Sequence, residues 1–292
     1  MKIGLRICVN TLRGLREGVP NLLRLLDTYQ VQASFFFAVG PDRSGRLFGY
    51  DKTPSWRSPA SLGSRLVHTL LPSPTMSRQG CEIMRSVAAV GHEIGLLAYD
   101  PVTWTDRAAF TDEVWTSRQV KKGVELFESV FQTSPKAIAV PGWQINPHLL
   151  REEEALGLLY ASDVRGRAAF FPVMQGVEST CPQLPTTLPV LGELLRNNNE
   201  VTTENVHEYI YAESQYILPN GHIYSLDAEI EGVEFLQLFE KLIVMWKNYG
   251  DGLSSLVGLY ETVNREKLSR HQIGWSDEDN PGCYVATQSL AV

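Results

Sequence analysis

The stretch LRICVNTLRG, residues 5–14, decides how the start of this chain folds. Its first half is apolar and contains β-branched side chains, which predicts a buried strand. Its second half is polar and contains a glycine, which predicts a turn. The strand delivers Cys8 and Asn10 to its end, two residues apart and so on one face. This is a place where an α/β protein carries working side chains.

Short β-branched or aromatic runs alternate with longer helical patterns along the rest of the chain. The predicted strands are KIGLRICV, ASFFFAV, HEIGLLA, KAIAVP, LYASDV and HIYSLDAE. The predicted helices are GVPNLLRLLDTY, TDEVWTSRQVKKGVELFESVF, PHLLREEEALG and FLQLFEKLIVMWKNYG. This alternation indicates βαβ units around a parallel sheet, either a barrel or an open doubly wound sheet. Both architectures carry their sites at the C-terminal ends of the strands.

The composition is that of an ordinary globular protein. The 292 residues are 43% hydrophobic and 20% charged, and one domain is favoured. A net charge of -7 without a Lys or Arg cluster argues against nucleic acid as a partner. No apolar run is long enough to span a bilayer, and the N-terminus lacks the pattern of a signal peptide. Four dispersed cysteines without C-x-x-C suit a reducing compartment, so we expect a cytoplasmic protein.

Two segments interrupt the alternation. Residues 41–78 are rich in Ser, Pro, Arg and Gly and predict an insertion, and residues 170–190 are rich in turn signals. Residues 60–72 contain the basic amphipathic stretch SLGSRLVHTLL. This stretch is either a surface loop with a helical turn or a contact with a membrane surface or a lipid substrate.

The common catalytic motifs are absent from the sequence. There is no G-x-G-x-x-G after the first strand, no P-loop, no G-x-S-x-G and no H-E-x-x-H. The predicted strand ends instead carry a set of polar side chains that would converge on one pocket. They are Cys8, Asn10, Asp100, Trp143, Gln144, Asp163, Arg165, Asp227 and Glu229.

Six segments, in their order and spacing, resemble the polysaccharide deacetylase (NodB-homology) family. They are LRICVNTLRGLREGVPNLLRLL, QASFFFAVGPDRSGR, GHEIGLLAYD, YASDVRG, QLPTTLP and YSLDAEIEG. Within the family the resemblance is strongest to bacterial deformylases that act on undecaprenyl-phosphate-linked 4-deoxy-4-formamido-L-arabinose in lipid A modification. It implies a distorted (β/α) TIM-like barrel over residues 1–265. Residues 266–292 would form a tail packed on, or extending from, the same domain.

The family reaction is metal-assisted amide hydrolysis. The resemblance implies that one Asp and two His hold a divalent cation such as zinc, which polarises the carbonyl and activates water. In this sequence those ligand positions are Asn10, Leu97 and Pro101. Leu and Pro side chains cannot coordinate a metal, and an amide oxygen alone is a feeble ligand. We therefore expect no metal and no other cofactor.

The groups that move protons are also replaced. Cys8 stands at the family's general base, Asp227 at its general acid and Gln144 at an arginine that steadies the site. Asp163, in the S-D-x-R-G motif, is retained. The loss of a general acid or base costs about 10²–10⁴ in rate each, so these changes predict loss of the family reaction.

The leading hypothesis is an inactive member that keeps its fold. Such a protein would bind an amido-sugar or an undecaprenyl-phosphate-linked sugar, at the inner face of the cytoplasmic membrane or free in the cytoplasm, or would regulate an active relative. The candidate ligand-binding residues are Arg13, Trp143, Asp163, Arg165 and Glu229. Asp163 and Arg165 are also expected to take part in an ion-pair network at the barrel mouth.

The alternative hypothesis is an active deacetylase or deformylase with a rebuilt site. Asp100, Asp163 and Asp227 would form a carboxylate cluster for Mg²⁺ or Mn²⁺, which prefer oxygen ligands. Cys8 would otherwise serve as a nucleophile, which requires a nearby cation to lower the pKa of its thiol.

Overall fold

The computed structural model describes residues 2–44, 73–197, 200–250, 252–277 and 284–292. Its strands are β1 (Lys2–Val9), β2 (Ser34–Ala38), β3 (Glu93–Ala98), β4 (Ala137–Ile138), β5 (Tyr160–Ala161), β6 (Phe171–Met174), β7 (Val177–Glu178), β8 (His222–Asp227), β9 (Gly252–Ser254), β10 (Arg270–Ser276) and β11 (Val285–Ala291). Its helices are α1 (Val19–Thr28), α2 (Met76–Gln79), α3 (Cys81–Ala89), α4 (Pro101–Arg107), α5 (Glu113–Phe131), α6 (Pro147–Ala155), α7 (Leu191–Asn197), α8 (Val206–Ser214), α9 (Leu236–Asn248) and α10 (Leu256–Tyr260).

The main sheet is parallel and has the order β5-β4-β3-β2-β1-β8, with β9 also paired to β1. It curls into a half-barrel with helices outside, which confirms the predicted α/β barrel class. Residues Ile3–Val9 of β1 and all of β2 are buried. This burial explains why these strands read as continuous apolar runs rather than alternating ones.

The strands that form the barrel mouth are shorter than their sequence runs. KAIAVP yields only Ala137–Ile138, and LYASDV yields only Tyr160–Ala161. The chain leaves β4 through a 3₁₀ turn at Pro141–Trp143, because a proline cannot donate to a ladder. These strand ends therefore open into loops that line the mouth.

A second sheet has the order β11-β10-β6-β7 and joins the C-terminal tail to the barrel. β10 runs parallel to β6 and antiparallel to β11. The region 170–190, which the sequence marks as turn-rich, thus contains two strands. Ile273 of β10 and Ala286 of β11 are buried in the same core as the barrel, so these two strands pack against it.

Two π-helical turns bring the ends of β1 and β8 together. One spans Gly14–Gly18 and the other Ile230–Glu234. A Cβ atom added to Gly18 would lie 1.9 Å from the carbonyl oxygen of Ala228, so only glycine allows this approach. The contact holds the two strand ends that carry Cys8 and Asp227 side by side.

The insertion predicted at 41–78 lies largely outside the described residues, and so does the proposed membrane-contact stretch 60–72. In the part of the chain that the structure describes, no helix combines the length and apolarity needed to cross a bilayer.

Candidate functional site

The barrel mouth is centred on a pair formed by β1 and β8. The register places Cys8 opposite Asp227. Just beyond the strand, the Nδ2 amide of Asn10 donates to Asp227 Oδ1 at 2.8 Å. Both Asn10 and Asp227 are partly exposed, so their polar atoms border the mouth. A metal-ligand position and the acid position are thus engaged with each other.

Cys8 contacts a buried arginine, Arg6, that is not among the residues predicted for the site. Arg6 Nη1 donates to Cys8 Sγ at 2.9 Å and to Ser225 Oγ at 2.7 Å. Burial raises the pKa of the Cys8 thiol to about 12, although Arg6 opposes that shift. The thiol is 4% exposed. Burial thus stabilises the unreactive thiol form of Cys8, which disfavours the nucleophile hypothesis.

The other two ligand positions are structural. Leu97 is 1% exposed and belongs to the hydrophobic core. Pro101 is the buried first residue of α4, where its fixed φ suits a helix start. Together with Asn10 these side chains offer one amide oxygen, which does not fit a divalent cation. Among the described residues, no three His, Cys, Asp or Glu side chains come together as a metal-binding group.

Asp100 does not join a carboxylate cluster at the mouth. It is the N-cap of α4 and accepts from the Thr103 amide at 3.1 Å and the Thr103 hydroxyl at 2.7 Å. Arg43 pairs with it at 2.9 Å. The rebuilt site of Asp100, Asp163 and Asp227 is a wrong prediction, because the first carboxylate is used as a helix cap.

Asp163 anchors the wall of the barrel. Its side chain is fully buried, and Oδ1 accepts from the Val140 amide at 2.8 Å. Gln183 Nε2 donates to Oδ2 at 3.1 Å and to Glu153 Oε2 at 3.3 Å. Burial and the Asp163 charge raise the pKa of Glu153 well above its usual value. Because Val140 starts the turn that carries Trp143, Asp163 positions that turn from behind.

Trp143 is held between polar partners. Its Nε1 donates to Thr186 Oγ1 at 3.1 Å, and the Arg165 guanidinium lies 4.9 Å from its ring centroid. Arg165 in turn pairs with Glu193 at 2.6 Å and is 5% exposed. The ion-pair network expected for Arg165 thus includes Glu193, and Arg165 supports Trp143 from within the wall.

Gln144 ties the tail to the mouth. Its Nε2 donates to the Tyr284 carbonyl at 2.7 Å and to the Gly142 carbonyl at 3.2 Å. The backbone carbonyl of Gln144 accepts from Trp104 Nε1 at 2.8 Å. The neutral side chain at this position therefore joins loops by hydrogen bonds and supplies no charge.

Arg13 and Glu229 differ in their exposure to solvent. Arg13 lies at the exposed rim, where it pairs with Glu234 at 2.8 Å and Glu17 at 3.4 Å. Glu229 is 5% exposed and packs against Gly14, since a Cβ there would lie 2.6 Å from Glu229 Oε2. Of these two candidates, Arg13 is the one accessible to a ligand arriving from solvent.

A buried carboxyl supports the backbone of Asp227. Glu231 Oε2 accepts from the Asp227 amide at 2.9 Å, and Oε1 accepts from the Tyr224 hydroxyl at 3.1 Å. Burial, followed by the charge of Asp227, raises the pKa of Glu231 to about 8. A carboxyl group that changes charge near neutral pH therefore lies against the end of β8, in the π-helical turn that follows it.

Sequence reasoning missed four buried polar residues around the site. They are Arg6, Glu153, Gln183 and Glu193. Arg6 had a signal, since a charged residue inside the apolar run KIGLRICV shares the face of Cys8. The partners of the other three lie 20 or more residues away along the chain, which periodicity does not encode.

Solved structures with the same fold indicate the structural class of this protein. No family model matches the chain. A crystal structure from Mycobacterium smegmatis assigned to the polysaccharide deacetylases covers 92% of both chains with TM-score 0.63 and 17% identity. One from Pseudomonas aeruginosa, a probable polysaccharide deacetylase, gives TM-score 0.61 and 13% identity over 91% and 92%. A CE4 family pseudoenzyme from Bacillus anthracis gives TM-score 0.53 and 11% identity over 89% of this chain and 66% of its own. The fold is that of the CE4 polysaccharide deacetylases.

Sequence relatives narrow the class. The probable 4-deoxy-4-formamido-L-arabinose-phosphoundecaprenol deformylase ArnD of Shewanella sediminis is 34% identical over 256 residues, which is 84% of this chain and 81% of that protein. The protein of the same description from Wigglesworthia glossinidia brevipalpis is 27% identical over 256 residues, 81% of this chain and 85% of its own. The chain belongs to the ArnD-like family of NodB-homology polysaccharide deacetylases.

Proposed function

We propose that this family member binds a lipid-linked amido- or amino-sugar at the barrel mouth without hydrolysing it. The observation that carries the proposal is the state of the three ligand positions. Asn10 is bonded to Asp227, Leu97 is buried in the core and Pro101 begins a helix. A donor set of this kind offers no coordination shell for a catalytic cation.

The groups for proton transfer support the same proposal. The thiol of Cys8, with its raised pKa, stays protonated at neutral pH and cannot act as a general base. Asp227 stands where the family has a histidine acid, and its Oδ1 is already engaged by the Asn10 amide at 2.8 Å. The family reaction thus lacks its Lewis acid, its base and its acid.

The proposed ligand class rests on the relatives and on the mouth itself. The relatives are named for a formamido-arabinose carried on phosphoundecaprenol. Asp227 and Asn10 offer partly exposed hydrogen-bonding atoms suited to a sugar, and Arg13 at the rim carries a charge suited to a phosphate. We place the protein at the inner face of the cytoplasmic membrane, where a lipid-linked sugar can be reached.

The binding test uses a synthetic short-chain polyprenyl-phosphate 4-formamido-arabinose and its free-amine counterpart. A ligand bound only by the folded chain raises its Tm. We expect a Tm rise that grows with ligand concentration in the wild-type chain and shrinks in D227N. E178Q is the matched control, because Glu178 is an exposed carboxylate on β7, away from the mouth. An unchanged Tm with both sugars would direct attention to a protein partner, such as an active relative.

The hydrolysis test measures formate. The relatives' names favour an active deformylase, which is the competing outcome. We expect no formate from the formamido-sugar above that of a heat-unfolded control, with or without added zinc. Formate release that stops with a chelator would replace the proposal by a metal-dependent deformylase.

A further inference from the structure

Arg6 carries a positive charge at the floor of the barrel. Its side chain is 2% exposed, and its guanidinium donates to the Cys8 thiol, the Ser225 hydroxyl and, at 3.0 Å, the Val140 carbonyl. These three acceptors are neutral. Within the described residues, Nε finds no hydrogen-bond acceptor. No carboxylate among the described residues bonds directly to Arg6, although a buried charge is costly unless it is paired.

Position 8 is the place next to Arg6 where a side chain could supply a negative charge. Arg6 Nη1 is 2.9 Å from Cys8 Sγ, which is within the range of a charge-assisted bond to an oxygen. A thiol is a weak acceptor. Ser225 lies within β8, and Val140 contributes only its backbone carbonyl just after β4, so position 8 is where a different side chain could change the electrostatics. The pair lies on one face of β1, two residues apart, and needs no movement of the backbone.

We propose that Arg6 is a positioning residue for the side chain at position 8, and that its guanidinium is placed to hold a carboxylate there. The Cys8 thiol occupies that place without supplying the charge. Arg6 would orient such a carboxylate from beneath, whereas Gln144 reaches the tail by neutral hydrogen bonds. This inference does not depend on what the mouth binds.

The competing interpretation is that Arg6 only ties strands together. It joins β1 to β8 through Ser225 and reaches the chain after β4 through Val140. If Arg6 only connects the strands, its effect on stability would not depend on the charge at position 8. A positioning residue would instead control whether a carboxylate at that position is ionised, since a buried carboxyl without a cation stays protonated.

The experiment compares C8D with its neutral control C8N, each with Arg6 and with R6M. Infrared spectra of the ¹³C-aspartate-labelled C8D chain at pH 7, after subtraction of the C8N spectrum, report the protonation of the introduced carboxyl. We expect an ionised carboxylate in C8D and a protonated acid in C8D/R6M. We also expect R6M to lower the Tm of C8D by about 5 °C more than that of C8N.

Several results would overturn the proposal. These are a protonated carboxyl in C8D, an ionised one in C8D/R6M, or equal Tm effects of R6M in C8D and C8N. A C8D chain that fails to fold while C8N folds would do the same. If R6M prevents folding in every background, R6K and R6Q replace it. The proposal then requires that C8D/R6K keep the carboxylate ionised and that C8D/R6Q not keep it so.

Discussion

The wall of the barrel and its mouth are built from neighbouring strands but differ in their polar groups. In the wall, Asp163 is fully buried and bonded to the Val140 amide and to Gln183. At the mouth, the positions that hold the metal in the family carry Asn10 and two side chains with no donor atoms. The wall keeps the interactions that support the loops, whereas the mouth carries other side chains at the family's metal-ligand, base and acid positions. Support and chemistry therefore reside in different residues, and one set can change without the other.

The largest loss of stability is expected for a substitution in the wall. Asp163→Ala leaves the buried Val140 amide without its acceptor and Gln183 without one of its two carboxylates. We expect the free energy of unfolding to fall by about 3 kcal/mol or more, measured by urea denaturation. D163N keeps an acceptor for Val140 and should lose less. A loss below about 1 kcal/mol for D163A would show that the wall does not depend on this carboxylate.

A second prediction concerns pH and the carboxyl beneath the mouth. Glu231 has its pKa raised from 4.5 to about 8 in the folded chain, so the folded state holds the proton more tightly than the unfolded state. Its contribution to stability is full below pH 4.5 and is lost as the pH rises toward 8. Between pH 6 and pH 8 the wild type should lose about 2 kcal/mol that E231Q does not lose.

Urea denaturation of both chains across this pH range measures the difference. E240Q is the control, because Glu240 bonds Tyr29 on the outer surface and its charge lies away from Asp227. Parallel pH profiles for wild type and E231Q would contradict the assignment of this titration to Glu231.

A smaller effect on stability is expected at the mouth. Asp227→Asn removes a charge from the bond with Asn10 but keeps the shape of the side chain. We expect a stability change within about 1 kcal/mol, because the pair is partly exposed, and a loss of sugar affinity of about tenfold. Calorimetric titration with the amido-sugar measures the affinity. A large loss of stability with unchanged affinity would reverse the roles assigned to wall and mouth.

The smallest effect on folding is expected at the rim. Arg13→Ala removes exposed ion pairs with Glu17 and Glu234, whose contribution is screened by water. We expect the free energy of unfolding to fall by less than about 0.5 kcal/mol. We also expect R13A to bind a phosphate-linked sugar a few-fold more weakly than the wild type does, and to bind the free sugar as the wild type does. Equal affinities of R13A and wild type for both sugars would remove Arg13 from the ligand contacts.

The sequence predicts the barrel well because its strands and main helices have clear patterns. KIGLRICV, ASFFFAV and HEIGLLA are continuous apolar runs, and each becomes a parallel strand within one residue of its predicted ends. The sequence does not predict the second sheet, because β6 and β7 lie in a segment full of turn residues and β6 pairs with β10 of the tail, more than ninety positions later. Pairings of that range leave no local periodicity.

The sequence predicts which residues lie at the site, but not which side chains they contact. The motif positions correctly mark Cys8, Asn10 and Asp227 as neighbours at the mouth. The alternative hypothesis gives Asp100 a metal-binding role, but an aspartate before a proline-led helix is equally a cap, and the structure uses it as one. The roles of Arg6 and Glu231 follow from burial, which is set by packing of the whole barrel rather than by spacing in the chain.

The measurement that tests the central claim most directly is the zinc content of the wild-type chain. The protein is equilibrated with a small excess of zinc, freed of unbound metal and analysed by mass spectrometry for bound ions. The account predicts far less than one zinc per chain, and the same value for wild type and N10A/D227A. One tightly held zinc per wild-type chain that disappears in N10A/D227A would contradict it.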